Sequence, residues 1–539
     1  MAESGNAAPV AAPDQPAVPQ GKLGRLIWGL RTNSRFAFLL QVGSRILTAA
    51  LGLLWTRVLT DAMGKALIGL FYALQDVFSL GGLGDLGVGG AIGIRTGQYL
   101  SHGKSKEPEL LNFLASARTV FIVLIIASGC GVLILSPWIP HWKNFAVVSD
   151  AGSLIKVFQV GAVMVAGFMM FSYFSNVNYA CGNIAWPVLP DFILLQITLA
   201  CHLFLARQQQ PLWVQFLPYM CATFIKLFLM RFYVRNSHPP LSRIWPLTFD
   251  WKLAMNLFEG SFWVYLCCLG NAIYRKTDNL VITAGFTPGV NTEYNFNYKA
   301  CDLMFMVVTT ASYVILPKVT QWMASTDPKD HERVVLEMKR LNQFQTLLGC
   351  GAALAYLAFN NIFIRLWWYH RENLIRPAAL TLQIAFALNM AVTASGDTAL
   401  QLALRSGKNG LRVVGVLIGL TGLLNVALSL TAMQKHWLEG IALATVLAQS
   451  VLMLGSSFFL CGHLKVPRLP WMFKGCALPL AGIGFAGWLR TLWPMDSLQH
   501  VLMLLGAYAA LFVLAAWGLG INRALIKNEF QLIRKLVGK

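Results

Sequence analysis

A chain of 539 residues is long enough for three or four soluble domains, yet 56% of its residues are hydrophobic and only 12% are charged. Soluble domains carry roughly 25% charged residues, so this composition, with its mean hydropathy of +0.57, excludes a soluble protein and points to a polytopic membrane protein. The formal charge of +20 does not call for nucleic acid, because most Lys and Arg fall in alternate loops, as the positive-inside rule requires.

The apolar runs have helical length, which rules out a barrel of short alternating strands. Residues 1–20 are rich in Ala and Pro and lack the basic-then-apolar order of a signal peptide, so 1–35 reads as a disordered, basic cytoplasmic segment. Lys22, Arg25, Arg31 and Arg35 lead into a first span at 36–60, and a second covers 66–94. Further spans fall at 112–136, 152–180, 187–206 and 211–234, with Pro137 to Trp142 as an interfacial aromatic turn. A basic linker at 236–250 closes the first six-helix bundle, 36–235.

The second bundle, 251–461, opens with a span at about 258–286 and continues with 297–317, after a polar loop at 285–296. Lys318 to Arg340 looks like a short amphipathic cytoplasmic helix, followed by spans at 341–363, 377–401, 411–432 and 437–461. Two more, 471–492 and 498–520, occupy the segment 462–520, and a basic tail at 521–539 ends the chain. The expected fold class is therefore all-α. About fourteen transmembrane helices form two six-helix bundles related by pseudo-two-fold symmetry, plus two C-terminal helices. Each bundle opens with a charge-bearing span, followed by a short polar turn and a span that starts with aromatic residues. That repetition is the mark of a transporter whose substrate binds between repeats. An even span count and the loop charges put both termini in the cytoplasm.

The residues of interest are charges inside the spans, where a charge at a helix centre costs at least ~2.5–3.5 kcal/mol and so faces protein or water. In Tyr274-Arg275-Lys276-Thr277-Asp278, Arg275 and Asp278 share a helix face and can neutralise each other. Arg45 sits near mid-span and is too deep to snorkel; Arg57 either pairs with Asp61 or faces a cavity. Lys276 reaches a cavity or the headgroups, and Lys299 opens the eighth span. Lys156 and Lys226 lie nearer helix ends and can snorkel. Together these predict a net-cationic cavity. Asp85, Glu259, Asp278 and Asp302 are candidates for coupling or gating, since a carboxylate in low dielectric can carry a proton or ligate sodium. The ten cysteines show no zinc-ligand spacing, so neither metal nor disulfide is expected, and nothing calls for a cofactor. Gly82-Leu83-Gly84-Asp85-Leu86-Gly87 fits GxGxxG, but within a transmembrane run it reads as helix packing or a kink.

Asp278-Asn279-Leu280-Val281-Ile282, then Gly285, Tyr294-Asn295, Tyr298-Lys299 and Leu316-Pro317, resembles the second-half opening of polysaccharide flippases. These form part of the multidrug/oligosaccharidyl-lipid/polysaccharide exporter (MOP) superfamily. Ser44-Arg45, Leu53 to Leu59, Gly64, Gly69-Leu70-Phe71 and Gly84-Asp85-Leu86-Gly87 resemble that family's first-half pattern. The resemblance implies a V-shaped pair of bundles working by alternating access in a bacterial inner membrane. The implied cargo is an undecaprenyl-diphosphate-linked oligosaccharide, such as an O-antigen repeat unit. H+ or Na+ would be the coupling ion, membrane lipids the surroundings, and polysaccharide polymerase and chain-length proteins the partners. Lipid II flippases share the plan, and so do cation-coupled multidrug antiporters, which would want an acidic or aromatic pocket. A membrane glycosyltransferase or polymerase would need a large periplasmic loop. The longest here, 364–376 with Arg365, His370, Arg371, Glu372 and Arg376, is short, so the chain reads as a transporter rather than an enzyme.

Overall fold

Among the described residues the fold is built of helices that follow one another along the chain. The computed structural model describes residues 34–101, 107–138, 149–181, 188–245, 247–324, 328–368, 375–468, 478–493 and 498–518. In the first half, α1 (Ser34–Met63) is followed by α2 (Lys65–Gly81) and α3 (Val88–Ser101), which together make one interrupted crossing. Then come α4 (Glu107–Leu135), α5 (Ala151–Ala180), α6 (Val188–Arg207) and α7 (Leu212–Ser237). The second half contains α8 (Trp251–Gly285), α9 (Pro288–Ala324), α10 (Pro328–Trp367), α11 (Leu380–Ala403), α12 (Gly407–Gln434) and α13 (Leu438–His463). Two further helices, α14 (Leu478–Leu492) and α15 (Leu498–Gly518), complete the described chain. Apart from Ser34 and Arg35, the expected tails 1–35 and 521–539 lie outside the described residues, as do 139–142 of the aromatic turn and 369–374 of the longest loop.

Eight of the described helices are long and apolar enough to cross a membrane by length and composition. Helix starts follow local chemistry. Asp150 caps α5 through the Ser153 amide at 2.7 Å, and Asp250 caps α8 through the Lys252 and Leu253 amides at 2.8 and 3.1 Å.

Three features bear on the expectations. The second span, 66–94, is interrupted where a kink was read at Gly82 to Gly87. Gly82–Asp85 forms a 3-10 turn, and Leu86 and Gly87 take positive φ values of 51° and 73°. The Asp85 carboxylate accepts the Gly87 amide at 2.9 Å and stabilises the break. A Cβ on Gly87 would lie 2.9 Å from the Ser261 carbonyl oxygen, so α8 packs directly on the turn. Secondly, 285–296 is mostly helix rather than loop, because Thr287 caps α9 through the Val290 amide (3.3 Å) and Pro288 suits its first turn. Thirdly, Lys318 to Arg340 is not a separate helix. It divides between the end of α9 and the start of α10, where Val334, Met338 and Leu341 already bury one face.

Two large apolar cores form, and the first of them takes in Leu257, Phe258 and Leu280 of α8 from the second half. The first gathers residues from Leu59 to Leu257 around Phe71, Phe158 and Phe216, and the second is built on Phe386, Tyr294 and Leu357. In the second half α8 and α12 approach through small residues: a Cβ on Gly270 would lie 2.5 Å from the Ile418 carbonyl oxygen, and one on Gly422 3.1 Å from the Gly270 oxygen. The C-terminal pair is tied to this half by the buried Arg490, which donates to the Leu357 carbonyl on α10 and to Gln383 on α11. Tyr508 of α15 donates to the Ala486 carbonyl of α14 at 2.9 Å.

Overpacking a tight contact costs about 1–3 kcal/mol, so Gly270→Val is expected to lower the thermal unfolding midpoint of the purified protein. Gly506→Ala, where nothing lies within 4 Å, should leave the midpoint unchanged or slightly raised. Differential scanning fluorimetry in one detergent checks both.

Candidate functional site

Between the halves lies a cavity of about 1020 Å³, lined from α1 and α2 on one side and α8, α9, α11, α12 and α13 on the other. Its described charges are Lys276 and Lys299 against Asp76, Asp278, Asp302 and Asp397. Carboxylates thus outnumber ammonium groups among the described lining residues, where the sequence had suggested a net-cationic cavity. Amides and phenols fill in between, including Gln75, Asn271, Asn279, Tyr294, Asn295 and Tyr298.

Asp278 is 8% exposed and is held by three uncharged donors. Thr445 of α13 donates to it at 2.7 Å, Tyr294 of α9 at 3.3 Å and Asn425 of α12 at 3.4 Å. Four helices of the second half therefore converge on one carboxylate. The side chain of Arg275, its expected partner, lies outside the described residues, as do those of Arg45 and Glu259. Lys299 sits with its ammonium 5.7 Å from the centroid of the Tyr72 ring on α2, a cation–π contact from the second half to the first. Asp302, one turn further along α9, lines the same cavity.

Other candidates sit elsewhere. Arg57 places its guanidinium 5.8 Å from the Trp367 ring centroid and is not among the lining residues. Asp85 serves the break between α2 and α3. Lys226 pairs with Asp191 at 3.0 Å, and Lys156 lies 5.5 Å from the Trp213 ring centroid.

Two lining carboxylates escaped the reading of the sequence. Asp76 on α2 accepts from Lys276 at 2.5 Å and from Asn279, joining the halves through an ion pair. Asp397 on α11 accepts from Gln345 at 3.3 Å and Gln401 at 3.4 Å. Each is a single acid in an apolar run, and that alone was the available signal: such a residue is costly in a bilayer unless it faces protein or water.

The seam continues from Asp76 towards the start of α2. Asn295 donates to Asn279 at 2.7 Å and to Asn291 Oδ1 at 2.8 Å, and Asn291 donates to the Gly69 carbonyl at 3.0 Å. At its end Thr292 donates to the Lys65 carbonyl at 2.5 Å, and the Lys65 ammonium pairs with Glu293 at 2.9 Å. Gly69 permits this approach, since any Cβ there would collide with the Pro288 carbonyl.

The fold is similar to that of a lipid II flippase MurJ in an inward closed conformation, with a TM-score of 0.61 at 13% identity over 91% of this chain and 98% of that one. A MATE in complex with MaL6 matches at TM-score 0.52 and 12% identity, covering 81% of this chain and 97% of that chain. A MOP superfamily transporter from Pyrococcus furiosus, whose binding pocket is described as having reverse polarity, matches at 0.50 and 13%, with coverages of 81% and 97%. No family model matches the sequence, and no curated protein matches it. The chain is an all-α, multi-pass membrane protein with the fold that the lipid II flippase MurJ and the MATE structures share. The solved structures it resembles are transporters, not enzymes.

Replacing Asp278 by Leu removes the shared acceptor of three buried donors, and each orphaned group costs about 1–3 kcal/mol. Asp278→Leu is expected to lower the unfolding midpoint clearly, whereas Asp278→Asn, which keeps a carbonyl for Thr445, should lower it less. Equal midpoints for the two variants in thermal melts would contradict this arrangement.

Proposed function

We propose that the protein flips an undecaprenyl-diphosphate-linked oligosaccharide across the bacterial inner membrane by alternating access, with both termini cytoplasmic. The observation that carries this reading is the cavity between the halves. At about 1020 Å³ it matches the upper end of the ~300–1,000 Å³ range of small-molecule sites. Its amides and phenols suit sugar hydroxyls, and Lys276 and Lys299 offer charge to a diphosphate. Arg45 and Arg275 belong to α1 and α8, two of the helices that line it, and are proposed as further phosphate ligands.

The lipid II flippase match supports the same class of cargo, because it spans more of this chain than the MATE matches do. Lipid II itself is the alternative cargo within that class. In several such transporters additional C-terminal helices accommodate a lipid tail, the role proposed here for α14 and α15. Asp278 is proposed to bind or release the coupling cation, H+ or Na+, and Asp302 to gate the cavity. Polysaccharide polymerase and chain-length proteins would act on the translocated product.

The excess of carboxylates in the described wall favours a second reading, a cation-coupled multidrug antiporter.

Proteoliposomes distinguish the two. Fluorescent undecaprenyl-diphosphate oligosaccharide or lipid II, followed with a membrane-impermeant quencher, should be translocated by the parent protein. Arg45→Ala, Arg275→Ala and Lys299→Gln should each slow translocation by about tenfold, the effect of losing about 1.4 kcal/mol of charge-assisted binding. Organic-cation uptake driven by a proton or sodium gradient, with no lipid translocation, would establish the antiporter instead.

A further inference from the structure

The ion pair at the base of the seam has the makings of a ligand site. Lys276 and Asn279 are three apart on α8 and present an ammonium and an amide side by side. Asp76, from the other half of the molecule, fills the space between them, with Oδ1 on the lysine at 2.5 Å and Oδ2 on the asparagine. A two-oxygen anion on a paired donor set is also how a phosphate would sit there. The site is reachable: Asp76, Lys276 and Asn279 all line the cavity, and the Lys276 side chain is 40% exposed while that of Asp76 is only 12% exposed.

We propose that Lys276 and Asn279 form an anion subsite for a phosphate group of the cargo, and that the Asp76 carboxylate occupies it as a built-in surrogate that latches the halves together. The proposal rests on the flippase reading and adds how cargo is sensed. When a phosphate takes Lys276 and Asn279, Asp76 is left as a buried carboxylate without its cation. An uncompensated buried charge is strongly unfavourable, so α2 must move away from α8 until Asp76 is hydrated. Asn279 is also the first member of the amide chain that runs through Asn295 and Asn291 to the Gly69 carbonyl, so its reorientation loosens the seam up to Lys65 and Glu293. A neutral cargo has no means of displacing Asp76. The pair thus selects for anionic headgroups while keeping the cargo-free seam shut.

Hydrogen–deuterium exchange of the peptides spanning 65–72 and 288–295 tests this in the full-length protein in nanodiscs. Undecaprenyl diphosphate should raise exchange in both peptides by about fivefold or more, the lower range of allosteric coupling, and undecaprenol should not. Inorganic pyrophosphate serves as a separate arm: a response to it as well assigns the site to the diphosphate alone, and a response only to the lipid assigns it to the lipid-linked form. Asp76→Asn and Lys276→Gln should show high exchange without ligand, and diphosphate should add nothing in Lys276→Gln. The double variant Asp76→Lys/Lys276→Asp should restore low exchange, which separates loss of the latch from misfolding. Parent-level exchange in Asp76→Asn, or an undiminished diphosphate response in Lys276→Gln, overturns the proposal, as does a parent that responds to neither diphosphate. Failure of the flippase reading is read independently, from lipid translocation by the parent in proteoliposomes.

Discussion

A carboxylate inside a bilayer must be paired, hydrogen-bonded or wet, and the placement of Asp76, Asp278 and Asp397 governs much of this structure. None of the three faces lipid; each lines the cavity. Asp278 is satisfied within the second half and Asp397 by glutamines of α10 and α11, whereas the described donors to the Asp76 carboxylate, Lys276 and Asn279, come from across the interface between halves. Two of these acids therefore hold a half together internally, and the third holds the two halves to each other.

Packing supports the same division. Within the second half, α8 and α12 meet along glycines so closely that backbone atoms touch, and Arg490 fixes the C-terminal helices through a carbonyl and an amide. Between halves, α8 packs Leu257, Phe258 and Leu280 on the first half's core, and polar contacts are added to that packing. Hydrogen bonds, the Lys65–Glu293 and Lys276–Asp76 pairs and the close approach at Gly69 carry much of the α2–α9 and α2–α8 seam. Ion pairs can be exchanged for hydration or for another ion, while interdigitated cores cannot be loosened without opening voids. The break at Gly82–Asp85 lies in the helix that carries the seam and separates α2 from α3.

Hydropathy made the helices legible, and most described helix ends fell within a few residues of their expected places, because long apolar runs leave little choice inside a membrane. Where the reading failed, local polarity was mistaken for loop. The residues 285–296 are polar because they face α2 across the seam, and 318–340 because helices continue past the apolar layer. The cavity was half legible. Lys276, Lys299, Asp278 and Asp302 were recognised as charges that needed a polar environment, and the structure brings them to one space. Asp76 and Asp397 were missed because nothing local distinguishes such an acid from a satisfied buried one. Nor could spacing reveal that Lys276 pairs with a residue 200 positions away.

In the proposed alternating access the two halves rock about the cavity, opening one end as they close the other. Double electron–electron resonance tests it with two label pairs, all at exposed positions: Ala66 near the start of α2 with Lys435 just after α12, and Glu109 near the start of α4 with Asn409 near the start of α12. Saturating diphosphate-linked oligosaccharide should lengthen the Ala66–Lys435 distance and shorten the Glu109–Asn409 distance. Two distances that move together, or that ignore the cargo, would contradict alternating access in this protein.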